Sequence, residues 1–102
     1  MVMLPTGWVI EKDGELLAAG FLYIASNAPV GCLEYVVTNP DNAPRDSYKA
    51  LDLLLKEIMK FAEYSLLVSV FGRMSQDSLA RMYEKHGFVV GDSVKDVVWR
   101  KD

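Results

Sequence analysis

The chain has 102 residues, 51% of them apolar and 25% charged, which fits one ordinary globular domain with a single core. Its formal charge of −3 comes with both signs interspersed and offers no basic stripe, which argues against a nucleic-acid role resting on phosphate neutralisation. One cysteine, Cys32, gives no intrachain disulfide, and one histidine, His86, gives no multi-histidine zinc site.

The longest apolar runs are shorter than a membrane span, and the N-terminus lacks the basic-then-apolar layout of a signal peptide. These features read as a cytoplasmic protein in a reducing compartment. Residues 1–7 carry a proline and a glycine and read as an irregular lead-in. Trp8 to Lys12 favour a strand, and Asp13-Gly14 supplies the two-residue turn that matches strand twist. The second arm, Leu16 to Ala25, is apolar on both alternating sets. Leu17, Ala19, Phe21 and Tyr23 form one set; Leu16, Ala18, Leu22 and Ile24 form the other. A strand of this kind calls for cover on both faces.

Ser26 to Gly31 read as a turn and Leu33 to Val37 as a third strand, completing an antiparallel meander. A loop with Asn39, Pro40, Asn42, Pro44 and Asp46 leads into a helix over about Ser47 to Tyr64, with Asp46 or Ser47 as N-cap and Leu51, Leu54, Leu55, Ile58 and Ala62 at helical spacing. A strand feeding a helix N-terminus is a ready anion site, because the first amides lack intrahelical partners and the dipole favours negative charge. Leu66 to Phe71 read as a short buried strand. Ser75 caps a second helix with Leu79, Met82, Tyr83 and His86 as its inward stripe, ending at Gly87. Phe88 to Val90 and Val94 to Trp99 close the chain as a hairpin around Gly91 and Asp92. The order is β-β-β-α-β-α-β-β, with Leu33 to Phe71 a crossover joining parallel strands.

Two stretches then resemble the GNAT superfamily of N-acetyltransferases. Gln76 to Phe88 is similar to a family signature that runs Asn, a helical stretch, then Tyr-Glu-Lys-x-Gly-Phe; Tyr83, Glu84, Lys85, Gly87 and Phe88 match, and Gln76 stands for Asn. Leu33 to Pro40 looks like the family's fourth strand and its exit. The resemblance covers the chain from about Trp8 onward. It implies an α+β fold over residues 1–102, with a mostly antiparallel mixed sheet, two main helices and central strands that splay apart.

What the resemblance implies about chemistry is acetyl transfer from acetyl-CoA to an amine by direct attack, without a metal. The backbone at Val36 and Val37 would hold the thioester oxygen and pantetheine arm, and Gln76 would bond that arm. Arg45, Asp46, Ser47, Tyr48, Lys49 and Ala50 occupy the pyrophosphate-binding motif, with Arg45 and Ala50 fitting it and Tyr48 standing where glycine is expected. Tyr83 matches a tyrosine that protonates the departing sulfur, and a core aromatic is its other role. Glu34 matches a general base, and an outward-facing strand residue is its other role. His86 reads as a packing or helix-end residue and Cys32 as an inert thiol. Family members usually begin with a further strand and two helices that wall the acceptor site; here either that site is open or another subunit completes it, which makes a homodimer more plausible. The alternative is a GNAT-fold binding or assembly module without catalysis.

Overall fold

In the computed structural model, residues 3–73, 79–90 and 96–101 are described. Strand β1 (Met3–Lys12), β2 (Glu15–Ala25) and β3 (Val30–Thr38) form the meander; helix α1 (Pro44–Tyr64) crosses over to β4 (Ser69–Arg73). Helix α2 (Ala80–Lys85), β5 (Val89–Val90) and β6 (Asp96–Arg100) follow. The strands make one six-stranded sheet in the order β1-β2-β3-β4-β6-β5, parallel only between β3 and β4. The element order and the mostly antiparallel sheet match the sequence reading.

The Asp13-Gly14 turn forms with φ of 53° and 82°, the positive values a twist-matched two-residue hairpin turn demands. Residues 3–7, read as a lead-in, are instead the first half of β1 and pair with Phe21 to Ala25. Pro5 lies on β1, an edge strand, the position within a sheet to which proline is largely confined.

Helix α1 starts three residues earlier than its apolar pattern indicates. Pro44 takes the first position, where its missing N–H is no loss and its fixed φ suits a helix. The N-cap is therefore Ala43, with no side-chain cap, and Asp46 lies inside the first turn. The helix ends in a Schellman arrangement: Leu67 N–H donates to the Ala62 carbonyl and Leu66 N–H to that of Glu63, with Leu66 at φ 61°. Leu66 is thus an exposed cap residue and β4 begins only at Ser69. Helix α2 ends the same way, with Gly87 at φ 89° and Phe88 N–H donating to the Tyr83 carbonyl. The expected cap Ser75 and the turn at Gly91 and Asp92 lie outside the described residues.

Both helices join the same core. Ala18, Leu22 and Leu33 from the sheet pack with Leu54, Leu55, Ile58 and Ala62 of α1, and with Met82, Tyr83, Phe88, Val97 and Trp99. Each fully buried aliphatic side chain contributes about 1.5–3 kcal/mol. Gly20 lets α1 lie close to the sheet, since a Cβ there would sit 3.3 Å from Leu54 Cδ2 and 3.4 Å from Ile58 Cδ1. The expectation of cover on both faces of β2 is not met. Ala18, Gly20 and Leu22 are buried, whereas the other set reaches a face on which Phe21, Tyr35, Val37 and Phe71 are exposed.

Candidate functional site

The site begins at an irregularity in β3. Ala19 pairs with Val37 and Phe21 with Glu34, so Tyr35 and Val36 both stand opposite Gly20. This is a β-bulge, and it holds Tyr35 at φ 57°. A bulky residue in the left-handed region is strained by roughly 1–3 kcal/mol, and such strain concentrates where a backbone must be re-aimed. The surrounding packing fixes it: Val36 turns toward the core, near the position a Gly20 Cβ would take, and Val37 emerges on the opposite face.

On its other side, β3 pairs with β4 only from Val30 to Leu33. Among the described residues, β3 beyond Leu33 continues to Thr38 beside β2 alone, so it parts from β4 where the bulge begins. Backbone groups of Glu34 to Thr38 that face the split have no β4 partner in the ladder, and backbone polar groups away from water require one.

Opposite the helices, Tyr23, Cys32, Glu34 and Tyr35 line a shallow cavity of about 320 Å³. Cys32 Sγ donates to Glu34 Oε1 at 3.4 Å. The strand period places Cys32 and Glu34 on one face, across from Tyr23 and Phe21 respectively. The rings of Phe21, Tyr23 and Tyr35 stand mutually 6.2–6.5 Å apart. Glu34 therefore faces away from the core into this cavity. The sequence pattern put Phe21 and Tyr23 in one alternating set without showing that the set is left open, and it gave no sign that Tyr35 joins them through the bulge.

The loop from β3 to α1 is tied to β2. Asn39 Nδ2 donates to the Leu16 carbonyl at 3.0 Å, Asn42 Nδ2 to that of Leu17 at 2.9 Å, and Asp41 N–H to Asn39 Oδ1 at 3.0 Å. These anchors were legible only as turn residues. Arg45, Asp46, Ser47, Tyr48, Lys49 and Ala50 all lie within the first two turns of α1. Asp46 and Ser47 N–H groups both donate to the Ala43 carbonyl, and Pro44 has none. The helix thus consumes most of the amides that an anion would use. Lys12, Asp13, Glu15, Asp41 and Asp46 line the cavity at this end, four carboxylates against one ammonium. Arg45 and Lys49 project into solvent and Ala50 is buried. Tyr48 is 54% exposed, with Lys85 Nζ 5.5 Å from its ring centre.

Tyr83 is a core residue, 1% exposed, with its ring edge-on to Phe88 at 5.2 Å. Burial pushes its phenol up to about 12. The hydroxyl therefore keeps its proton throughout the neutral range. It is a weaker acid than a free tyrosine. Gln76 lies outside the described residues.

His86 joins a surface network between the helices. Its Nε2 lies 2.8 Å from Asp52 Oδ1, and Lys85 Nζ lies 3.1 Å from Asp52 Oδ2. Partial burial opposes the Asp52 charge, but the hydrogen bonds from Lys85 and His86 outweigh it and hold the carboxyl below its ordinary value. The same bond to Asp52 raises Lys85. This network fastens α2 to α1.

No family model matches the sequence, and no curated protein matches it. Solved structures do match. The PaiA N-acetyltransferase of Thermoplasma acidophilum, in complex with coenzyme A, is 19% identical with a TM-score of 0.74 over 95% of this chain and 61% of its own. A probable acetyltransferase of Staphylococcus epidermidis is 13% identical with a TM-score of 0.75, over 96% and 68%. An acetyltransferase of the GNAT family from Staphylococcus aureus is 12% identical with a TM-score of 0.71, over 94% and 67%. This chain has the GNAT fold.

The chain spans under two thirds of the Thermoplasma enzyme's length. No helix among the described residues is long and apolar enough to cross a membrane.

Proposed function

We propose that the protein is a coenzyme A-dependent N-acyltransferase that moves an acetyl group to an amine. The observation that carries this reading is the strained bulge at Tyr35 placed where β3 leaves β4. In it, backbone groups at Val36 and Val37 hold the thioester oxygen and pantetheine arm, and Glu34, on the same strand, receives a proton from the incoming ammonium. Acetyl-CoA supplies the activated acyl carbon. A C–N bond forms to that carbon and the C–S bond breaks; a second proton from nitrogen reaches the thiolate, with the Tyr83 hydroxyl as hydrogen-bond donor. Recognition of the pyrophosphate would fall to the side chains of Arg45 and Lys49 rather than to helix amides.

The second reading, a binding or assembly module without catalysis, is favoured by a specific feature: the carboxylate-lined end of α1, which repels a pyrophosphate. A homodimer belongs to either reading. The β1 edge, which carries Trp8, is open to a second copy, whereas Trp99 sits on β6, an interior strand.

Calorimetric titration with acetyl-CoA, beside S-acetyl-pantetheine, tests the proposal. Binding of both, with acetyl-CoA tighter and Arg45→Ala removing about tenfold of that advantage, is expected. Absence of binding by either thioester refutes the enzyme reading and leaves the assembly module.

A further inference from the structure

The open face of the sheet carries a group of residues that the acyl-transfer reading uses only in part. Phe21, Tyr23 and Tyr35 bring three aromatic rings within 6.2–6.5 Å of one another, with the Phe21 and Tyr35 planes at 87° and those of Tyr23 and Tyr35 at 60°. Tyr23 and Tyr35 line one volume, and Phe21 stands beside both. Glu34 and Cys32 complete the lining of that volume with Tyr23 and Tyr35. Among the described residues no lysine or arginine is ion-paired with Glu34; the pairs present join Lys60 to Glu57 and Lys85 and His86 to Asp52.

Aromatic faces attract a cation through the ring quadrupole, most strongly when part of its water is removed, and a carboxylate beside them adds a direct charge partner. Neutral apolar ligands would gain from the rings and nothing from Glu34. Anions would be repelled by both. An inorganic cation would need several oxygen ligands, and among the described residues the lining offers one carboxylate. The chemistry that satisfies every lining group is an organic ammonium with alkyl substituents.

We propose that Phe21, Tyr23, Tyr35 and Glu34 form a recognition site for an aliphatic ammonium, so that the acceptor of the transfer is a small alkylamine that arrives as its cation. The acceptor assignment rests on the acyl-transfer reading; the cation site itself does not. The bulge is what makes the two coincide, because it puts Tyr35 at the cavity directly before Val36 and Val37. Glu34 then holds the ammonium and takes its first proton. An arylamine, which is uncharged at neutral pH, would lack that attraction.

The test is an NMR titration of the full chain with n-butylammonium chloride and, in parallel, n-butanol, its uncharged near-isostere, at matched ionic strength. Butylammonium is expected to shift the ring resonances of Tyr23 and Tyr35 saturably, with affinity at least about tenfold above butanol. Glu34→Gln and Tyr35→Leu should each weaken it by about three- to thirtyfold while amide dispersion stays native. Phe21→Leu, at the rim, serves as a second ring variant should Tyr35→Leu disturb the bulge. Equal response to butanol, saturation unchanged in Glu34→Gln, or no shift with butylammonium overturns the cation site. Acetyl-CoA binding by a protein that ignores butylammonium leaves acyl transfer standing and removes this acceptor class. Butylammonium binding without acetyl-CoA binding keeps the cation site and removes the transfer.

Discussion

Tyr83→Phe should make the protein markedly more resistant to alkali while leaving it nearly as stable at neutral pH. The phenol ionises at 10.0 in an unfolded chain and at about 12 in the folded one, because burial disfavours the phenolate. Stability attributable to the neutral phenol is complete below pH 10 and falls as pH rises through 12, since the unfolded state gives up its proton first. Two pH units at about 1.4 kcal/mol each amount to roughly 3 kcal/mol, a large fraction of the 5–15 kcal/mol typical of a domain. Phenylalanine keeps the ring against Phe88 and has nothing to ionise. Urea unfolding of both proteins from about pH 8 to pH 12 measures the effect as a difference, which cancels alkaline changes shared by the two. Wild type should lose about 2 kcal/mol relative to the variant by pH 12, with absorbance near 295 nm tracking one late-ionising tyrosine. Parallel stability curves would show that Tyr83 is wetted in solution, and its role as a proton-bearing donor would go with that result.

Three further outcomes follow from packing and backbone geometry. Gly31→Ala should lower stability by about 1–3 kcal/mol, because its Cβ would lie 3.0 Å from Leu22 Cδ1 and from Leu67 Cδ1, both buried; an unchanged thermal midpoint would contradict that contact. Leu66→Gly should raise stability by about 0.5–1 kcal/mol, since Leu66 sits at φ 61° with its side chain in solvent, and a lower midpoint would count against the left-handed cap. Asp52→Asn should cost about 1 kcal/mol or less at neutral pH after solvent screening. The native Asp52 contribution is present above pH 3.8 and fades as pH falls below it, so wild type and variant should converge in acid; a gap that persists at pH 2 would refute the ion-pair origin.

Much of the fold is legible in the residues themselves. The Asp13-Gly14 turn, the apolar spacing of α1 from Leu51 to Ala62 and the stop at Gly87 each follow from a local rule that the structure obeys. Where expectation and structure part, a neighbouring element overrides the local signal. Residues 3–7 become a strand because β2 is long enough to pair with them, despite Pro5. Leu66 leaves the strand because the end of α1 takes its N–H first. The motif from Arg45 to Ala50 enters the helix because Pro44 starts it early.

The candidate site divides in the same way. Local periodicity determined which residues could share a face, since a strand's side chains alternate whatever lies around them: Cys32 with Glu34, and Phe21 with Tyr23. Which face stays open depends on contacts far apart in sequence. Helices α1 and α2 meet on one side of the sheet, and that alone leaves Phe21, Tyr23 and Tyr35 exposed or half-exposed on the other. The bulge is likewise a tertiary fact, because Tyr35 takes φ 57° only when β2 fixes the register on both sides of Gly20 and α1 receives Val36. Residue identity supplied the chemical groups of the site; long-range packing decided their direction.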